Sequence, residues 1–184
     1  MLLDHARSQL LIVDMQDRLL DAMTGRDDIL SACDRLIRAA QILDIPVTVS
    51  EQYPKGLGPT NETLRETLGN RGEVMEKVEF SCYRNAALQA RFQELRRKGR
   101  PQVILGGIES HVCVLQTAID LAENGFETFV AADAVGSRAK ESRKLALDRL
   151  AANNVGVVNT EMALFEWLGK AGTPEFKEIQ ALVK

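Results

Sequence analysis

The sequence is poor in the residues that usually supply a covalent or metal framework. It has three cysteines and two histidines among 184 residues. Cys33, Cys82 and Cys113 are widely spaced and odd in number, which disfavours a disulfide scaffold, and with only His5 and His111 beside them no metal-ligand spacing appears. Long apolar runs are missing as well. No stretch approaches the ~20 residues that span a membrane, and the opening MLLDHARSQL lacks the charged segment followed by an apolar one that marks a secretory leader. A cytoplasmic protein with no membrane partner is expected. Charge of one sign is not concentrated either: 26 acidic and 23 basic residues give a net charge of −3, with no basic block to follow a phosphate backbone, so nucleic acid is not an expected partner. Repeats, linkers and low-complexity segments are absent. The length and a hydrophobic content of 45% suit one domain, residues 1–184, that buries roughly 70% of its unfolded surface.

What is present is an alternation of short apolar runs and helical stripes. Gln9–Asp14 (QLLIVD) reads as a strand buried on both faces. Arg26–Leu43 puts Ile29, Leu36, Ile37, Ala40 and Leu43 on one helical stripe, and Val47–Ser50 is a second strand. Glu51–Thr60 carries two prolines and two glycines and reads as a long irregular loop, of the kind that tends to be functional. Glu73–Val78 is a third strand and Asn85–Lys98 a helix. Val103–Leu105 is a fourth strand that breaks at Gly106 and Gly107 before a helix beginning near Ser110, a plausible N-cap. Phe126–Ala131, a helix over Glu141–Asn153, a strand at Val155–Val158 and one or two terminal helices complete the chain. The pattern predicts a three-layer α/β/α fold around a central six-stranded parallel sheet.

In such a sheet ligands bind beyond the carboxyl ends of the strands. Asp14 ends the first strand, Lys77 lies near the end of the third and Cys113 follows the fourth, so the three are expected on one edge. Their chemistries are complementary: a carboxylate to accept a proton, a cation to favour anions, and a thiol. Cys113 falls in the first turn of its helix, where free N–H groups and the helix dipole should make it ionise more readily than a free thiol. Each residue also has a plainer reading: Asp14 as a turn cap, Lys77 as a half-exposed strand residue, Cys113 as a small apolar core residue. Their joint placement favours the functional one.

The stretches LLIVDMQDRL, EQYPKGLG, the Lys77 strand, and GGIESHVCVLQTAIDL followed by GFETFVAADAVGSR resemble the isochorismatase-like cysteine hydrolase family over essentially the whole chain. The resemblance implies a catalytic triad of Asp14, Lys77 and Cys113, in which the sulfur attacks a carbonyl carbon, Asp14 serves as general base and water releases a thioester. It further implies an oxyanion hole made of the backbone N–H groups of Glu109 and Cys113, presented by a cis peptide between Ile108 and Glu109. Asp133 and Gln16 look like supporting positions. The nicotinamidase branch carries an Asp-x-His metal motif after the second strand where this chain has Glu51, Gln52 and Tyr53, so no catalytic metal and no cofactor are expected. EQYPKGLG is similar to a subgroup without an assigned substrate.

A retained Cys113 points to a small amide-like substrate rather than to the vinyl ether of isochorismate. The alternatives are such an ether hydrolase, or a catalytically silent binding module. From position, Gln16, Gln52, Tyr53 and Phe80 are candidates for the substrate pocket, Cys82 for a packed structural role, and His111, two residues from Cys113, for a side chain that diverges from it. Homo-oligomers are expected, with Phe165, Trp167 and Leu168 offering an apolar surface.

Overall fold

In the computed structural model, which describes residues Met1–Lys184, six strands form one all-parallel sheet in the order β3-β2-β1-β4-β5-β6. They are β1 (Ser8–Val13), β2 (Val47–Gln52), β3 (Gly72–Lys77), β4 (Gln102–Ile108), β5 (Glu127–Gly136) and β6 (Gly156–Val158). The helices are α1 (Asp17–Leu20), α2 (Arg26–Ile42), α3 (Pro54–Leu57), α4 (Glu62–Leu68), α5 (Ala86–Arg97), α6 (Leu115–Glu123), α7 (Lys140–Ala152), α8 (Thr160–Leu168) and α9 (Pro174–Leu182).

Alternation along the strands sorts side chains between the two faces. Leu10 and Ile12 of β1 pack with Val49, Ile104 and the buried faces of α2, α4, α8 and α9. Leu11 and Val13 pack on the other face with Val103, Leu105 and residues of α5, α6 and α7, including Leu88, Phe92, Leu121 and Leu150. This is the three-layer arrangement expected. Asn61, Asn85, Asn159 and Thr173 accept first-turn N–H groups and so fix the starts of α4, α5, α8 and α9. Trp167 does not lie on the surface as expected; it is 1% exposed and donates Nε1–H to Ser8 Oγ at 2.9 Å, which ties α8 to the start of β1. An indole that finds both apolar neighbours and an acceptor is more stable inside.

The strand order makes β1 and β4 the switch point. The chain winds outward from β1 through β2 to β3, then returns to the other side of β1 as β4, so the loops after β1 and β4 diverge and open a crevice at their carboxyl ends. Two local readings change here. The diglycine does not end the fourth strand: Gly106 and Gly107 lie within β4, paired with Ile12 and Val13. Gly107 has φ 115°, and a Cβ there would collide with the Val13 backbone, so glycine lets the two central strands approach closely. The second strand also runs on to Gln52, which moves Glu51 and Gln52 out of the loop and into the ladder with β3.

Candidate active site

Asp14 is the first residue past β1. It is buried and left-handed, at φ 52°, a conformation that costs about 1 kcal/mol but that aspartate tolerates better than most residues. Its N–H donates to Ser50 O at 3.1 Å, so β2 holds the kink. Its carboxylate is gripped at both oxygens: Lys77 Nζ donates to Oδ2 at 2.7 Å and Ser50 Oγ to Oδ1 at 2.7 Å. Lys77 reaches across β2 to do so, and both charged side chains are wholly buried. The remaining Nζ protons go to Gln52 Oε1 at 2.5 Å and Glu79 O at 3.1 Å.

Burial lifts the Asp14 pKa above the ordinary carboxylate range, against the pull of the Lys77 charge and of hydrogen bonds from Lys77, Ser50 and Cys113. Burial works in the opposite sense on Lys77, yet the charge of Asp14 and the two neighbouring thiols outweigh it, so the lysine pKa is raised and the ammonium kept.

Cys113 lies beside the same carboxylate. The peptide bond between Ile108 and Glu109 is cis, and Ser110–Val114 form a π-helical turn that leads into α6. The Glu109 carbonyl collects the N–H groups of Val112 and Val114, at 3.1 and 3.2 Å, and passes over that of Cys113; the Glu109 N–H has no backbone acceptor. Glu109 Oε2 is pinned by the N–H and Nε of Arg138, both at 3.1 Å. His111 turns away to Ser137, Nδ1 to Oγ 2.9 Å.

The expected ease of ionisation at Cys113 is overturned. The thiol is 8% exposed, and burial, followed by the charge of Asp14, pushes its pKa up to about 12. A helix terminus gives only a modest bias, and here the first turn is not a regular α-helical one. Ser110 is not its N-cap either; Glu109 occupies that place, and Ser110 Oγ is buried without a partner.

The other candidates divide. Gln52 touches Lys77, but Gln16 is fully buried and binds backbone, donating Nε2–H to Gln52 O and Gly58 O and accepting from Gln52 N–H. It is a brace for the loop rather than a pocket wall. Tyr53 and Phe80 are 54% and 57% exposed; Tyr53 lines a shallow cavity of about 310 Å³ with Lys77, Val78 and Asn85, and Phe80 is not among its walls. Asp133 takes the N–H and hydroxyl of Thr160, at 2.7 and 2.9 Å, and so joins β5 to α8. Glu51 accepts both N–H and hydroxyl from Thr60, at 2.7 Å each, and no three His, Cys, Asp or Glu side chains cluster as metal ligands.

Sequence reasoning missed Ser50. Its signal was a hydroxyl closing an apolar strand on the edge where the other site residues gather. Cys82 packs behind it, Sγ 3.5 Å from Ser50 Oγ.

Residues 8–162 match the isochorismatase domain model. The chain is 44% identical over 171 residues to isochorismatase domain-containing protein 1 of Salmo salar, a match covering 93% of this chain and 59% of that protein; it therefore spans about three fifths of that relative. The structure of MAR1 ribonuclease from Caenorhabditis elegans superposes with a TM-score of 0.92 at 35% identity, over 100% of this chain and 92% of the other. The octameric hydrolase YcaC of Escherichia coli shares the fold, with a TM-score of 0.88 at 20% identity over 98% of this chain and 90% of its own. The chain belongs to the isochorismatase domain family.

Proposed function

We propose that the protein hydrolyses a small amide-like carbonyl compound through a thioester on Cys113. The observation that carries this reading is the buried Asp14–Lys77 pair at 2.7 Å with the Cys113 thiol against the same carboxylate at the sheet's switch point. A thiol with a pKa near 12 stores little thiolate at rest, so the proton passes to Asp14 as sulfur attacks the carbonyl carbon. An Asp14 pKa raised by burial suits that transfer, because it lies closer to the working pH than that of an exposed carboxylate. The developing oxyanion is received by the N–H groups of Glu109 and Cys113. Protonated Asp14 then delivers its proton to the departing nitrogen, and water, deprotonated by Asp14, cleaves the thioester to carboxylic acid and free thiol.

Lys77 acts through its charge, since its three protons are already engaged. No metal or cofactor takes part in this scheme. The ribonuclease name of the nematode relative finds no counterpart in a basic surface here, with net charge −3 and no basic block. Assembly of several copies is part of the proposal, and the exposed Tyr53, Val78 and Phe80 are apolar groups that such contacts would cover.

The test is a screen of small amides for ammonia or amine release. Cys113→Ala should reduce turnover of any substrate found by 10³-fold or more, roughly the effect of removing a covalent nucleophile. Full turnover by Cys113→Ala, or release of an enol product from a vinyl ether instead of an amine, would assign the site a different chemistry. Tight binding of small amides by the wild type, with no amine released from any of them, would mark a silent binding module.

A further inference from the structure

We infer that Ser50 is a positioning residue for Asp14, and that the buried Cys82 thiol sets the direction of its hydroxyl. The inference rests on the catalytic reading of Asp14 and Cys113 and extends it to two side chains in no direct contact with a substrate.

Ser50 sits opposite Val13 in the β1–β2 ladder, one residue before the kink at Asp14. It holds that residue twice, accepting the Asp14 N–H at its carbonyl and donating its hydroxyl to Oδ1. Lys77 alone would fix one carboxylate oxygen and leave the group free to rotate about its last torsion. A second donor on the other oxygen fixes the plane, and with it the lone pairs left to face Cys113. The hydroxyl has one proton, and a donor at its lone pairs turns that proton away from itself and toward Asp14. Cys82 does so: its Sγ lies 3.5 Å from Ser50 Oγ as donor, and its own N–H is anchored to Thr117 Oγ1 at 2.9 Å, one turn along the helix that follows Cys113. Cys82 and Ser50 are both fully buried, so water does not replace either bond. The row Cys82 S–H, Ser50 O–H, Asp14 carboxylate runs in one direction and ends on the proton acceptor.

A charge-assisted bond to the anionic carboxylate favours its ionised form. Without it Asp14 keeps its proton to higher pH, and a protonated Asp14 cannot accept the proton of Cys113. The experiment is the pH dependence of Cys113 alkylation by iodoacetamide in the whole protein, read at the Cys113 peptide by mass spectrometry. Wild type should show an acid limb that belongs to the Asp14–Cys113 pair and that Asp14→Asn removes. Ser50→Ala should move this limb up by about one pH unit, Ser50→Thr should restore it, and Cys82→Ala should shift it the same way by less.

A limb unmoved in Ser50→Ala and Cys82→Ala, with wild type and Asp14→Asn behaving as stated, overturns the role of Ser50 and leaves the nucleophile and base standing. A Ser50→Thr limb displaced as far as that of Ser50→Ala overturns it too, since the effect would then be packing. Absence of any Asp14-dependent limb in wild type overturns this inference together with the catalytic reading.

Discussion

The Lys77 ammonium directs its N–H groups at Asp14 Oδ2, Gln52 Oε1 and the Glu79 carbonyl, which leaves none for a substrate. At the scale of single residues the site is therefore a set of mutually satisfied buried groups, and removing one member exposes the others to the cost of burial without a partner. The thiols carry a related consequence. Cys82 and Cys113 have pKa values raised from 9.0 to about 11 and about 12, chiefly by burial, and Cys33 is raised further. A group whose pKa is higher in the folded state binds more protons when folded, so its contribution to stability is full below the unfolded pKa and lost as pH climbs through the folded value. Unfolding free energy should thus fall steadily between about pH 9 and pH 11. Urea titrations across that range check this, and a stability that stays level to pH 11 would show that the thiols ionise in place. The meeting of Asp14, Lys77 and Cys113 was legible in the sequence because each lies at or beyond the carboxyl end of a strand in a parallel sheet. The sign of the Cys113 shift was not, because it depends on how deeply the turn is packed, which spacing along a chain does not report.

At the scale of elements, β1 and β4 are the part of the sheet on which the site is built, and their close approach depends on Gly107. Its φ of 115° is one that side-chain-bearing residues rarely adopt, and an added Cβ would meet the Val13 backbone. Gly107→Ala should therefore lower stability by more than about 2 kcal/mol and displace the Asp14 kink, one residue beyond Val13. Thermal melting and the rate of Cys113 alkylation test the two effects separately, and a Gly107→Ala protein with wild-type melting would contradict the account of this seam. The same glycine shows where sequence reading stopped. Glycine marks both turns and close strand contacts, and only the partner strand decides between them. The helix α2, with its long periodic stripe, and α5, capped by Asn85, were readable to within a residue or two. The π-helical turn at Ser110–Val114 was not, since its amide pairing is set by the Glu109 carbonyl rather than by side-chain pattern.

At the scale of the whole molecule, alternation of strands and helices was enough to predict a six-stranded parallel sheet between two helical layers, because parallel neighbours must be joined by crossovers, and the helices of those crossovers cover the sheet's faces. Strand order was not readable beyond that, and it is the order β3-β2-β1-β4-β5-β6 that lays Lys77 across β2 and so brings Ser50 into the site unannounced. The substrate is the least legible feature. Loop and edge side chains near the site, such as Tyr53 and Phe80, are half-exposed in the chain alone, and no periodicity constrains them. No helix is long and apolar enough to cross a membrane.

The central claim is that Asp14, Lys77 and Cys113 act as one covalent catalyst. Rapid acid quenching during turnover of an amide substrate, followed by mass analysis of the Cys113 peptide, tests it most directly. The account predicts an added acyl group on that cysteine, formed and consumed within a turnover and undetectable in Asp14→Asn. Steady product formation with the Cys113 peptide always at its native mass, and undiminished when Cys113 is replaced by alanine, would contradict it.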